Sequence, residues 1–146
     1  MIKRKDKKLA RLLLIDDCEN FRFVARMMLE EAGHEVLETK NGADALSLLQ
    51  EQSIDIVFTD LFMPGKDGFA TIKEICKIQP QQKIVAVTGG GLGWGENWQE
   101  YLSREFGFDA VLLKPFEWGD MLRMVDILTK NNIRPSHPAL QIGCND

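Results

Sequence analysis

The chain has 146 residues, of which 45% are hydrophobic and 27% charged, as is usual for a single globular domain. No apolar stretch reaches the roughly 18–20 residues that a membrane-spanning helix needs, and the apolar run near the N-terminus is too short for a signal peptide. We therefore expect no membrane association and a cytoplasmic location. The three cysteines are odd in number and lack metal-ligand spacing, which favours reduced thiols.

Charge is distributed unevenly along the chain. Residues 1–11 carry six Lys or Arg and one Asp, whereas the remainder carries 12 basic and 21 acidic residues, a net charge of −9. A basic segment can contact nucleic acid or anionic lipid, but we favour a flexible leader over residues 1–9. The acidic body argues against nucleic acid as the main partner. Residues 133–146 show no hydrophobic periodicity, which predicts a flexible tail.

Between these ends, over residues 10–132, apolar runs alternate with helical patterns. The predicted strands cover 11–16, 34–39, 54–60, 83–88 and 110–113, and the predicted helices cover 19–32, 43–50, 69–78, 96–106 and 117–130. Such alternation indicates a parallel sheet with helices on both faces. Right-handed crossovers then predict a flavodoxin-like (βα)5 fold, a doubly wound α/β sheet with strand order 2-1-3-4-5. In the first helix, the apolar residues near helical spacing are Phe23, Met27, Met28 and Ala32.

The segment Gly89–Gly95 departs from this alternation. It holds five glycines in seven residues, too many for a stable helix. Trp94 and Trp98 lie in and beside it. Because Trp is frequent at binding hot spots, the two rings are candidates for a partner-binding surface. Packing of one or both on the core is the alternative, and both interpretations stay open.

Polar side chains end four of the predicted strands. Asp16 and Asp17 follow the first, Asp60 ends the third, Thr88 ends the fourth and Lys114 follows the fifth. In open α/β sheets, ligands bind at the carboxyl ends of the strands. The sequence therefore predicts a site at this edge.

The three acids define the chemistry of that site. Adjacent carboxylates repel one another, and cation binding or raised pKa values must relieve the repulsion. A cluster of oxygen ligands without His or Cys suits Mg²⁺. A carboxylate beside Mg²⁺ can attack phosphorus, while Lys114 and Thr88 can neutralise and hydrogen-bond the oxygens of a transferring phosphoryl group.

Over roughly residues 10–130, the chain resembles the receiver domains of two-component response regulators. The motifs that carry the resemblance are Asp16-Asp17, Asp60, Met63-Pro64-Gly65, Asp67-Gly68, Thr88 and Lys114-Pro115. The resemblance implies that Asp60 is the phosphoacceptor, with Thr88 as the switch hydroxyl and Lys114 as the phosphate-binding lysine. It also implies that Asp17, Asp60 and the Phe62 backbone carbonyl bind Mg²⁺ directly, and that Asp16 acts largely through water.

The resemblance further implies a regulatory domain rather than a turnover enzyme. A histidine kinase or phosphotransfer protein would supply the phosphoryl group, and an output protein would read the changed surface. The chain ends soon after the fifth helix, so we expect the signal to leave through a bound partner or by onward phosphotransfer. The domain would be a monomer or a phosphorylation-dependent dimer.

The sequence departs from the family pattern at three places. Val111 stands where receivers usually carry the aromatic residue that moves inward on phosphorylation, and the nearby Phe108 is out of register. The interval from Thr88 to Lys114 is several residues longer than usual. Phe62, two residues after the phosphoacceptor, should hinder an attacking water, which predicts slow dephosphorylation.

Two other functions compete with the phosphorylated switch. Val111 and the glycine-rich segment are compatible with an unphosphorylated pseudo-receiver that serves as a protein-interaction module. A Mg²⁺-dependent phosphatase of similar topology is the second alternative. It is weaker, because those enzymes typically carry an acid where this chain has Phe62.

Overall fold

A computed structural model of the protein describes residues 9–62, 68–89, 98–130 and 140–143. The strands are β1 Arg11–Ile15, β2 Glu35–Thr39, β3 Ile56–Asp60, β4 Lys83–Thr88, β5 Ala110–Leu113 and β6 Leu140–Gly143. The helices are α1 Glu19–Glu31, α2 Gly42–Glu51, α3 Gly68–Ile78, α4 Trp98–Phe106 and α5 Trp118–Lys130. Most of the predicted leader, the Met63–Asp67 turn and most of the glycine-rich segment, including Trp94, lie outside the described residues.

The strands form one sheet in the order β2-β1-β3-β4-β5-β6, and every pair is parallel. The first five strands confirm the predicted flavodoxin-like order. The sixth strand was not predicted: residues 140–143, which fall within the predicted tail, pair with β5, and the rest of that tail lies outside the described residues. The sequence of this strand alternates Leu140 and Ile142 with Gln141 and Gly143 and so lacks the continuous apolar run that made the equally short β5 recognisable. The strand covers the edge that β5 would otherwise leave unpaired.

Alternation along the strands divides the core between the two faces of the sheet. Leu12, Leu14 and Phe58 belong to one buried cluster, which α1 and α5 cover. Leu13 and Val57 point the other way and pack beneath α2, α3 and α4. Since both faces are covered, the inner strands are mostly apolar, and their polar residues lie chiefly toward the strand ends. Each fully buried Leu or Ile side chain contributes about 1.5–3 kcal/mol.

The buried face of α1 differs from the predicted one. Ala25 and Leu29 are its buried residues, whereas Phe23 and Met27 are 62% and 54% exposed. The helix turns the i, i+4 pair of smaller aliphatic side chains toward the sheet. The larger apolar side chains two residues away therefore point outward, although they fit the helical spacing on which the prediction was based.

The helix ends follow local chemistry. The side chain of Asn41 accepts a hydrogen bond from the Asp44 backbone N–H at 2.8 Å and so caps the start of α2. Gly33 and Gly107, the predicted stops of two helices, have φ angles of 99° and 88°. These left-handed conformations favour glycine. Among the helices of the described residues, none is both long and apolar enough to span a membrane.

Candidate functional site

Strand register brings the predicted site residues to one edge of the sheet. Ile15 pairs with Thr59, and Asp60 pairs with Val87. Asp16, Asp60 and Thr88 therefore lie at adjacent strand ends. The Lys114 N–H donates to the Thr88 carbonyl oxygen at 2.9 Å, which fixes the residue that follows β5 at the same level.

The three acids converge at this edge. One carboxylate oxygen from each of Asp16, Asp17 and Asp60 lies within 4.8 Å of the others. The Oδ1 atom of Asp16 accepts the Cys18 N–H at 2.9 Å, and Oδ1 of Asp60 accepts the Phe62 N–H at 3.0 Å. Oδ2 of Asp16 is buried and accepts no hydrogen bond within the described structure. A buried oxygen of this kind is a ready ligand for a cation.

Lys114 is the cation beside this cluster. Its Nζ atom lies 3.7 Å from Oδ2 of Asp16 and 4.0 Å from Oδ2 of Asp60. The same atom lies 4.6 Å from the centre of the Phe21 ring. The two Oδ2 atoms and the ring thus surround one ammonium group.

Burial sets the proton affinity of the two inner acids. It raises the pKa of Asp60 above its ordinary value, and the N–H of Phe62 and the charge of Lys114 oppose the rise without cancelling it. Burial likewise raises the pKa of Asp16, against the Cys18 N–H and Lys114, with Asp60 and Asp17 adding repulsion. Ionising both buried carboxyl groups costs free energy, and a cation bound between them would offset that cost.

The remaining predicted residues fall around this centre. Thr88 is fully buried at the end of β4, and Val111 is fully buried within β5, paired with Ala86. Phe62 is half exposed, with its ring edge against Phe69. Trp98 is half-buried and packs on the core, which favours the core interpretation for this ring. The metal-binding role of the Phe62 carbonyl stays a prediction.

An aromatic cluster next to Lys114 was not foreseen. It consists of Phe21, Phe116 and Trp118, whose ring centres lie 5.4–6.1 Å apart. The available signal was the position of Phe21 in the first turn after Asp16-Asp17, together with two aromatic residues just after Lys114-Pro115. These three side chains are aromatic, and so they are not among the polar groups at strand ends that predicted the site.

Comparisons with known proteins agree with this architecture. The family model of the response regulator receiver domain matches residues 12–126. Chemotaxis protein CheY of Thermotoga maritima is 32% identical over 121 residues, covering 82% of this chain and 95% of CheY. Protein PilH of Pseudomonas aeruginosa is 36% identical over 69 residues, 47% of this chain and 57% of PilH, so the matched part is less than two thirds of that relative.

Solved structures give the same result. The crystal structure of a response regulator receiver domain protein from Clostridium thermocellum superposes with a TM-score of 0.73 at 29% identity, covering 84% of this chain and 95% of that one. The family match spans most of the chain, and the order of the first five strands is the one predicted from the alternation of strands and helices. The chain therefore belongs to the receiver domains of two-component response regulators.

Proposed function

We propose that this receiver domain accepts a phosphoryl group on Asp60 from a phosphohistidine of a histidine kinase or phosphotransfer protein, and passes the signal on through a changed surface. The observation that carries the proposal is the convergence of Asp16, Asp17, Asp60 and Lys114 at one sheet edge. A lone surface carboxylate has neither the cation partner nor the adjacent acids.

The transfer step is a displacement at phosphorus. Oδ2 of Asp60, whose sister oxygen accepts the Phe62 N–H, forms the new O–P bond as the donor N–P bond breaks. The bonding electrons stay on the imidazole nitrogen. With acetyl phosphate the broken bond is O–P and the leaving group is acetate. Lys114 balances charge that spreads over the phosphoryl oxygens, and the Thr88 hydroxyl donates to one of them.

The site also fits a magnesium ion. Three carboxylates, one of them with a buried oxygen lacking a hydrogen bond, form the oxygen-only donor set that Mg²⁺ prefers. Asp17, Asp60 and the Phe62 carbonyl would hold the ion directly, and Asp16 would hold it through water. When bound, Mg²⁺ supplies positive charge that stabilises the transferring phosphoryl oxygens.

The signal must leave by a route other than an aromatic residue at position 111. Val111 is fully buried and has no aromatic ring to move. Displacement of Thr88 and Lys114 toward a phosphoryl group would instead shift the segments that follow β4 and β5.

The proposed partners are a phosphodonor and an output protein, in the cytoplasm, with no role for nucleic acid or a membrane. The domain acts as a monomer or a phosphorylation-dependent dimer.

Intact mass spectrometry after incubation with acetyl phosphate and Mg²⁺ tests the phosphoacceptor. Wild type should gain a single phosphoryl adduct that requires Mg²⁺, and Asp60→Asn should gain none. Asp126→Asn, at an exposed acid of α5, serves as the matched control and should behave as wild type. A folded wild type without an adduct would overturn the proposal and favour the unphosphorylated interaction module.

A further inference from the structure

The Lys114 ammonium is held at a distance from the acids that it faces. Its separations of 3.7 Å from Asp16 and 4.0 Å from Asp60 exceed a direct charge-assisted hydrogen bond, which is about 2.7–2.9 Å. The lysine therefore makes a direct hydrogen bond to neither of these two carboxylates. An oxygen atom to one side of the line between Nζ and Oδ2 of Asp60 could accept a hydrogen bond from Nζ.

The Phe21 ring lies on another side of the same ammonium. Its centre is 4.6 Å from Nζ, within the range of about 6 Å over which a ring attracts a cation. This attraction acts from α1, whereas the acids act from the ends of β1 and β3. The observed position of Nζ reflects both attractions.

The ring itself is fixed by the aromatic cluster. Phe116 meets Phe21 edge to face, with an interplanar angle of 84°, and Trp118 lies 5.7 Å from Phe21 between ring centres. Phe116 and Trp118 follow Lys114 in the chain, so the cluster joins the first turn of α1 to the segment that carries the lysine. Edge-to-face pairs of this kind contribute beyond their buried area.

We propose that Phe21 is a positioning residue that holds the Lys114 ammonium beside Asp60 but beyond direct hydrogen-bond distance, ready to bind a phosphoryl oxygen. The inference rests on the proposed phosphoacceptor function and adds a residue to it. Without the ring, the lysine either pairs directly with the acids or extends into solvent. In both cases it must be repositioned when the phosphoryl group arrives.

The chain offers well-matched variants for a test. Phe21→Leu keeps an apolar side chain but removes the π face, and Phe21→Tyr keeps that face. Phe23→Leu, at the exposed ring two residues along the same helix, controls for the loss of an aromatic residue from α1. Thermal unfolding of each variant establishes that it is folded. If Phe21→Leu does not fold, Phe21→Met provides the same test, because methionine is also apolar and has no aromatic ring.

The first readout is the position of the lysine in Mg²⁺-free protein. In protein labelled with ¹³C-lysine, the signal lost in Lys114→Arg identifies the Lys114 ε-methylene group. Its protons should be shifted upfield by the ring current in wild type, Phe21→Tyr and Phe23→Leu, and should move toward the free-lysine position in Phe21→Leu.

The second readout is phosphorylation by limiting acetyl phosphate with Mg²⁺, together with affinity for beryllofluoride. A cation–π contact at a partly exposed site corresponds to a change of about 2- to 5-fold. Phe21→Leu should lose that factor in both measurements, and Phe21→Tyr should restore it. An unshifted Lys114 signal in wild type, or equal losses in Phe21→Leu and Phe21→Tyr, would overturn the positioning role. Absence of any adduct in wild type would instead refute the phosphoacceptor function.

Discussion

At the scale of single residues, the two inner acids share one local arrangement. In Asp16 and in Asp60, Oδ1 accepts the backbone N–H of the residue two positions later, as the chain turns away from the sheet. This bond fixes the orientation of each carboxyl group and leaves Oδ2 facing Lys114. The turn therefore determines which oxygen is available for chemistry.

Phe62 supplies one of those N–H groups, and its side chain stands beside the proposed phosphoryl site. The ring is half exposed and packs edge to face on Phe69, with 5.9 Å between the ring centres, and it has no group that could hydrogen-bond a water molecule. In Phe62→Asn, an amide could orient the attacking water. One such hydrogen bond of about 1–1.5 kcal/mol corresponds to up to about tenfold faster loss of the phosphoryl group.

The decay of the phosphoryl adduct after removal of acetyl phosphate measures this lifetime. Phe62→Leu, which stays apolar, is the control and should keep the slow decay. A lifetime in Phe62→Asn equal to that of wild type would show that the side chain at this position does not limit access of water.

At the scale of elements, the contact between α3 and the end of β3 depends on Gly68. A Cβ atom on this residue would lie 1.9 Å from the Asp60 carbonyl oxygen and 2.6 Å from the Leu61 Cα, both backbone atoms that cannot rotate away. The Gly68 N–H also donates to the Leu61 carbonyl oxygen at 3.0 Å. The start of α3 is thus held directly against the residue that ends β3.

We expect Gly68→Ala to lower the free energy of unfolding by about 1–3 kcal/mol, because the helix must move away from the strand end. Gly119→Ala in α5 is the matched control, since its Cβ would meet no atom within 4 Å. It should be neutral or stabilising by up to about 1 kcal/mol. Urea unfolding curves compare the two variants, and equal effects would mean that the close approach carries no strain.

The elements also show what the sequence could and could not predict. Asp16, Asp60 and Lys114 could be placed together because each adjoins the carboxyl end of a parallel strand, and register follows from topology. The face of α1 could not, because Phe23 and Met27 fit a helical period as well as Ala25 and Leu29 do. Which set is buried depends on the space above the sheet, and that is a property of the packed molecule.

Two other features that were not predicted from the sequence also depend on the packed molecule. The strand β6 is only four residues long, and it is recognisable from its pairing with β5 rather than from its own pattern. The contact between Phe21 and Lys114 joins residues 93 positions apart in the sequence, on elements that meet only after the sheet is assembled.

At the scale of the whole molecule, the site works against the stability of the fold that builds it. The sheet buries Asp16 and Asp60 at its edge, and burial raises the pKa of both carboxyls from the ordinary value of 3.8. Near neutral pH the folded state must therefore keep charges that are stabilised better in the unfolded chain. Bound Mg²⁺ would offset this cost, since a ligand of the native state alone stabilises it.

This cost has a definite dependence on pH. A carboxyl with a raised pKa binds its proton more tightly in the folded state, so its favourable contribution is complete below the ordinary value of 3.8 and is lost as pH rises through the raised pKa. Each unit by which the pKa is raised corresponds to about 1.4 kcal/mol. Asp60→Asn removes the charge, while its amide oxygen can still accept the Phe62 N–H.

We therefore expect Asp60→Asn to have a higher free energy of unfolding than wild type at pH 7 in Mg²⁺-free buffer. The difference should shrink as pH falls toward the ordinary pKa of an aspartate, because wild type then becomes neutral at the same position. Urea unfolding across this pH range measures it, with Asp126→Asn as the exposed control, expected within about 0.5 kcal/mol of wild type. If wild type were the more stable protein at pH 7, the attraction of Lys114 would have to exceed the cost of burying Asp60.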